Sequence, residues 1–101
     1  MNQQIQVFME YKIKPELVKE YEQAMEKIGA EVGDYEVTDF QWYKAADQGA
    51  LYVEMYKVPT MSHYNSIKKW RKDKDHPVFG KLNEYVPGGI EKVHCWAFLK
   101  K

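Results

Sequence analysis

The sequence is poor in cysteine: Cys95 stands alone in 101 residues, so no internal disulfide can form. A lone thiol placed inward by strand parity suits a reducing compartment. Net charge is also missing, with Lys plus Arg and Asp plus Glu at 15 each. That balance argues against non-specific nucleic-acid binding and against an anionic membrane surface as partner. No apolar run approaches membrane-spanning length. Met1-Asn2-Gln3-Gln4 lacks the basic start and apolar stretch of a signal peptide, so the expected location is cytoplasmic. Metal-ligand spacing is absent, since His63, His76 and His94 lie far apart along the chain. A serine triad, a phosphate loop and a dinucleotide fingerprint are lacking too; Gly88-Gly89 follows a helical stretch and reads as its stop.

What remains is a single domain, 1–101, in which 45% of residues are hydrophobic and 15% aromatic, far from the composition of a disordered chain. Ile5, Val7, Met9, Tyr11 and Ile13 alternate with polar residues, which predicts a strand, with Phe8 as the one apolar residue on the polar parity. After Lys14-Pro15, Leu17, Tyr21, Ala24, Met25, Ile28 and Val32 recur at steps of three and four, the stripe of an amphipathic helix. Tyr35 to Lys44 reads as a second strand in which Val37 has one parity and Phe40 and Trp42 the other; a bulge near Asp39 would move one set across, so its faces stay unassigned. Ala45 to Gly49 is a hairpin loop. Leu51, Val53 and Met55 then alternate with Tyr52, Glu54 and Tyr56 in a third strand.

A second helical region opens at Pro59-Thr60, with Thr60 or Ser62 as cap, and turns Met61, Tyr64, Ile67 and either Trp70 or Arg71 inward. The charged run Lys68 to Asp75 reads as solvated. Asp75-His76-Pro77 restarts a helix whose stripe is Val78, Phe79, Leu82, Tyr85 and Val86, so the region is two helices or one broken one. The last strand sets Val93, Cys95, Ala97 and Leu99 against His94, Trp96 and Phe98. The order is βαββαβ. It predicts an α+β, ferredoxin-like fold: a four-stranded antiparallel sheet with helices on one face, and the first and third strands, free of proline and glycine, at its centre.

Assigning Val7, Met9, Leu51, Val53, Val93, Cys95 and Ala97 to the covered face leaves the other face to Phe8, Glu10, Tyr52, Glu54, Tyr56, His94, Trp96 and Phe98, with Phe40 and Trp42 as further candidates. A face this aromatic is a binding surface, and a twofold dimer is the simplest way to cover it. In such a barrel-like core Glu54, Glu10 and His94 lie in or near an apolar interior, where a carboxylate must be paired or neutralised. His94 and Glu54 are therefore the candidate catalytic pair. Tyr52, Tyr56, Trp96, Trp42, Glu10 and His76 are the candidate ligand-binding residues. Each has a plainer reading as well: His94 as interface filling, Glu54 paired with a lysine, His76 as a helix-start residue, the tryptophans as core.

The strand order, the Asp75-His76-Pro77-Val78-Phe79 segment and the aromatic last strand resemble the dimeric α+β barrel superfamily, and within it the small antibiotic-biosynthesis-monooxygenase-type proteins. The resemblance spans nearly the whole chain in architecture. It implies a homodimer with a small-molecule pocket and, in some members, cofactor-independent oxidation of an aromatic or quinone-like compound, or haem breakdown. For the haem-degrading branch Trp70 matches a tryptophan of the pattern, but the histidine position falls near Asn83 and the first strand offers Met9 or Glu10 in place of asparagine. No cofactor is therefore expected. The plain alternative is a dimer that binds a ligand or partner without catalysis. An RNA-recognition module shares the element order, and Gly49 to Met55 partly echoes its third-strand signature. Gln48 and Ala50 break that echo, and Glu10 and Glu54 oppose phosphate.

Overall fold

A computed structural model describes residues 4–101; the signal-peptide reading of residues 1–3 lies outside them. The elements follow the expected order: β1 (Ile5–Lys12), α1 (Val18–Gly33), β2 (Thr38–Lys44), β3 (Leu51–Val58), α2 (Met61–Arg71), α3 (Leu82–Tyr85) and β4 (His94–Phe98). Single 3-10 turns at Pro15–Leu17, Phe79–Lys81 and Ile90–Lys92 lead into α1, α3 and β4. The sheet runs β2-β3-β1-β4 with every neighbouring pair antiparallel, so β1 and β3 are central as expected. Among the described residues no helix is long and apolar enough to cross a membrane.

Local chemistry accounts for the boundaries. Tyr21, Met25, Ile28 and Val32 bury the stripe of α1 against the sheet. Thr60 caps α2 by accepting the His63 backbone N–H at 3.2 Å, which settles the choice between Thr60 and Ser62. His76 starts the next helical segment: its Nδ1 accepts the backbone N–H groups of Val78 and Phe79 at 3.1 and 3.0 Å. The second helical region is thus broken into α2 and a turn leading to α3. At the break Gly80 passes so close to the preceding loop that a Cβ there would lie 2.3 Å from the Lys74 carbonyl oxygen. A bulge at Asp39, with φ 59° and the register shifting between Thr38 and Gln41, settles the faces of β2 that the sequence leaves open. The strand is shorter than the sequence implies, because residues 34–37 turn out of α1 with Glu36 at φ 59°.

Two expectations are overturned. In β3, Tyr52, Glu54, Tyr56 and Val58 face the helices and are buried, while Leu51, Val53 and Met55 are on the uncovered face. The register leaves no alternative: buried Val7, Met9 and Tyr11 stand opposite Tyr56, Glu54 and Tyr52. In β2, Trp42 stands opposite Glu54 and packs with the core, and Phe40 stacks on Tyr56, so both lie on the helix side. The second correction concerns Arg71. It is fully buried rather than part of a solvated run, and it takes the inward place that Trp70, 38% exposed, does not.

The uncovered face remains apolar with different members. Phe8, Val53, Met55 and Leu51 are half-buried there, and Tyr43, Trp96 and Phe98 are 51%, 44% and 51% exposed. His94, Trp96 and Phe98 keep their expected outward parity, and Val93 and Cys95 theirs inward.

Candidate functional site

The reversed face of β3 separates the two residues first paired as catalysts. Glu54 points into the space between sheet and helices, and His94 stands on the opposite face of the sheet. Each has its own surroundings.

Glu54 lies at the centre of a buried polar cluster. From the end of α2, Arg71 reaches it with both guanidinium arms, Nη1 to Oε1 at 2.6 Å and Nη2 to Oε2 at 2.8 Å, and neither side chain is exposed. Arg71 Nε is left without a partner, the one such buried side-chain nitrogen or oxygen among the described residues. Tyr11 donates its hydroxyl hydrogen to Glu54 Oε2 at 2.5 Å. With that hydrogen committed, Tyr11 Oη can only accept from Tyr21 Oη, 2.6 Å away, and the Trp42 indole N–H in turn donates to Tyr21 at 2.9 Å. The bonds run one way, from Trp42 through Tyr21 and Tyr11 to Glu54. Beside them Tyr52 donates to Glu22 Oε2 at 2.5 Å, and its ring meets that of Tyr21 at 4.6 Å. Tyr56 directs its hydroxyl to Met9 Sδ at 3.3 Å.

The electrostatics follow from burial. Tyr11 is held well above the ordinary tyrosine range by loss of solvent, reinforced by the neighbouring Glu54 charge. Tyr21 and Tyr56 are raised chiefly by the same loss of water, and Tyr52 by burial and its bond to Glu22. Burial alone would lower Arg71, but the facing Glu54 carboxylate outweighs it and pushes Arg71 above its usual value. Every tyrosine of the cluster is therefore a hydrogen-bond donor at neutral pH.

On the other face, β1 and β4 bring Glu10 directly opposite His94. Both line a cleft of about 540 Å³ at the end of the sheet, walled by Tyr11, Lys12, Leu51, Val86, Pro87, Glu91 and Lys92. The His94 ring stacks on Trp96 at 5.4 Å and 8°, Trp96 on Phe8 at 5.6 Å, and Phe98 meets Phe8 edge-on at 6.4 Å. A continuous aromatic run thus leads from the cleft across the uncovered face.

Of the residues singled out from sequence, Glu10, His94 and Trp96 are gathered here; Tyr52, Glu54, Tyr56 and Trp42 belong to the buried cluster. His76 sits apart. Its Nε2 is 3.3 Å from the Tyr35 hydroxyl and its ring stacks on Phe79 at 4.4 Å, so it organises the helix break. Asn83, placed near the haem-branch histidine, spends its Oδ1 accepting the Ile90 backbone N–H at 2.9 Å. Sequence reasoning missed Arg71, Tyr11 and Tyr21 as members of a polar site. A carboxylate flanked by two tyrosines in a central strand was the available signal, since a buried Glu54 demands a cation.

Together these features define a ferredoxin-like α+β domain with one sheet face covered by helices. The chain shares this fold with solved structures that include proposed antibiotic biosynthesis monooxygenases. It is similar to a conserved protein from Methanosarcina mazei Go1, at 16% identity and a TM-score of 0.77, covering 99% of this chain and 95% of that one. It also resembles a proposed antibiotic biosynthesis monooxygenase from Caulobacter crescentus CB15, at 14% identity and a TM-score of 0.75, over 99% of this chain and 92% of the other. A third structure, a nipsnap family protein with unknown function from Agrobacterium tumefaciens, matches at 10% identity and a TM-score of 0.68, over 98% and 89%. No protein-family model matches the chain, and no curated protein matches it in sequence.

Proposed function

We propose that the protein is a homodimer closed through its uncovered sheet face, which takes a small aromatic compound into the cleft beside Glu10 and His94 and oxidises it with dioxygen as the electron acceptor and without a bound cofactor. The observation that carries this reading is the aromatic run ending at that cleft: His94, Trp96 and Phe8 stack in sequence and Phe98 meets Phe8 edge-on, on a face that water covers poorly. Within the cleft His94 is the residue fit to take a phenolic proton, and Glu10 across from it is placed to orient or charge-balance the ring. Leu51, Val86 and Pro87 supply the apolar wall that an aromatic ring requires. The fold shared with a proposed antibiotic biosynthesis monooxygenase supports oxidation as the chemistry. A buried free thiol at Cys95 supports a reducing, cytoplasmic setting.

Oxygen uptake with 1,4-naphthohydroquinone as probe tests the reaction. The parent is expected to accelerate uptake over buffer, and His94→Ala to lose about 10²-fold of that acceleration, the usual contribution of a positioned base. An unchanged rate in His94→Ala would remove the assigned role. The separation of Glu54 from His94 favours one second reading, a dimer that binds the compound without turning it over. Saturable binding of the probe with no uptake above buffer would select it.

A further inference from the structure

Apart from Tyr11, which also borders the cleft, the buried cluster lies away from Glu10 and His94, and it is costly to build. A fully buried ion pair seldom adds net stability over apolar residues of equal volume, and here it also leaves Arg71 Nε unpartnered. Its distinctive feature is a tyrosine hydroxyl that donates directly to the paired carboxylate. We propose that Tyr11 is a redox-active tyrosine, with Glu54 as the acceptor of its proton and Tyr21 and Trp42 as its electronic connection to the surface.

The step balances as follows. A one-electron oxidant, of the class of oxygen- or phenol-derived radicals, gains one electron from the Tyr11 ring. The Tyr11 O–H bond breaks and an O–H bond forms on Glu54 Oε2, 2.5 Å away. The products are a neutral phenoxyl radical at Tyr11, a neutral carboxyl at Glu54, and the reduced oxidant; Arg71 keeps its charge. Oxidised phenol is a strong acid, so a carboxylate already in hydrogen-bond contact is a sufficient base even while paired with arginine. The radical oxygen then accepts from two donors, the new Glu54 O–H and the Tyr21 hydroxyl at 2.6 Å. Return of one electron reverses both transfers. Because Tyr11 and Glu54 are buried, the proton stays in the pair.

The route for the electron is a file of rings. Tyr11 and Tyr21 have centroids 5.8 Å apart, Tyr21 and Trp42 5.9 Å apart, and Trp42 is half-buried on the edge strand β2, where an external oxidant can approach. Tyr52 also donates to a carboxylate, but its partner Glu22 is exposed, so a proton passed there is lost to water. That difference makes Tyr11, rather than Tyr52, the place where a radical persists. The inference stands apart from the proposed oxidation in the cleft and needs no substrate.

Photo-oxidation of the full-length protein with tris-bipyridyl ruthenium and persulfate, followed by electron paramagnetic resonance, tests it. The parent should give a tyrosyl signal with a persistent component beside the short-lived signal of exposed tyrosines such as Tyr43. Tyr11→Phe, which keeps the ring and removes only the hydroxyl, should abolish the persistent component. Tyr52→Phe should retain it. Glu54→Gln should abolish it too where it folds. A persistent signal that survives Tyr11→Phe, or that disappears in Tyr52→Phe alone, overturns the assignment, as does a parent with no persistent component.

Discussion

The buried pair of Glu54 and Arg71 shows how one side chain dictates the placement of many. Two charges withdrawn from water repay their desolvation only through good geometry, and the bidentate contact at 2.6 and 2.8 Å supplies it. Removing one partner leaves the other charged and dry. Arg71→Met is therefore expected to lower the unfolding free energy by about 3–5 kcal/mol, read from urea denaturation at neutral pH. Replacing both partners at once, Glu54→Met with Arg71→Leu, should recover most of that loss, since no orphaned charge then remains. A single replacement as stable as the parent would mean that the pair is not buried in solution. The same residues mark where the sequence was hard to read. Arg71 sits in a run of lysines and aspartates, and only its partner on β3 distinguishes it from its solvated neighbours.

At the level of elements, the strands, helices and breaks were legible because each rests on local chemistry: alternation in β1 and β4, three-and-four spacing in α1, Thr60 as a cap and Asp39 as a bulge. The facing of β3 was not. Leu51, Val53 and Met55 form as good a buried set as Tyr52, Glu54 and Tyr56, and period-two alternation cannot choose between them. The choice is made by pairing with β1 and by Arg71, both distant in sequence. The observed facing of β3, with Trp42 paired to Glu54 on β2, takes Glu54, Tyr52, Tyr56 and Trp42 away from His94 and dissolves the first candidate site, while Glu10, His94 and Trp96 stay together.

Turning β3 this way packs tyrosine hydroxyls inside the protein, with a consequence for alkaline stability. Burial raises Tyr64 from 10.0 to about 12, with Cys95 adding to the shift, and raises Tyr11, Tyr21, Tyr52 and Tyr56 further. Above the ordinary tyrosine value the unfolded chain sheds protons that the folded one keeps. The folded state then binds more protons than the unfolded state, so stability falls as pH rises. The contribution is whole below pH 10 and declines through about pH 12 for Tyr64, with the other four extending the decline. Denaturation midpoints should drop as pH rises from about 10, the ordinary tyrosine value, while tyrosinate absorbance of the folded protein lags that of the urea-unfolded chain. Coincident tyrosinate titrations in the two states would contradict it.

For the whole molecule, the decisive quantity is the apolar content of the side of the sheet without helices. Correcting β3 exchanged Tyr52, Glu54 and Tyr56 for Leu51, Val53 and Met55, so this face lost its buried carboxylate and became more apolar. The case for a twin subunit is stronger for that change. Each large side chain buried contributes about 1.5–3 kcal/mol, and several must be covered to offset the freedom lost on association. Trp96, Phe98 and Tyr43, each near half exposed, are the side chains with most left to bury. Replacing Trp96 and Phe98 together by lysine should set like charges against each other across a twofold contact and leave each fold intact, because neither side chain enters the helix-side core. The parent is expected to sediment as a dimer at micromolar concentration, and the double variant as a monomer with the parent's far-ultraviolet circular dichroism. With a net charge of zero, the parent dimer should hold across moderate salt, since apolar contact rather than ion pairing closes it. A parent that stays monomeric as concentration rises would return the uncovered face to solvent, and with it the enclosure proposed for the cleft.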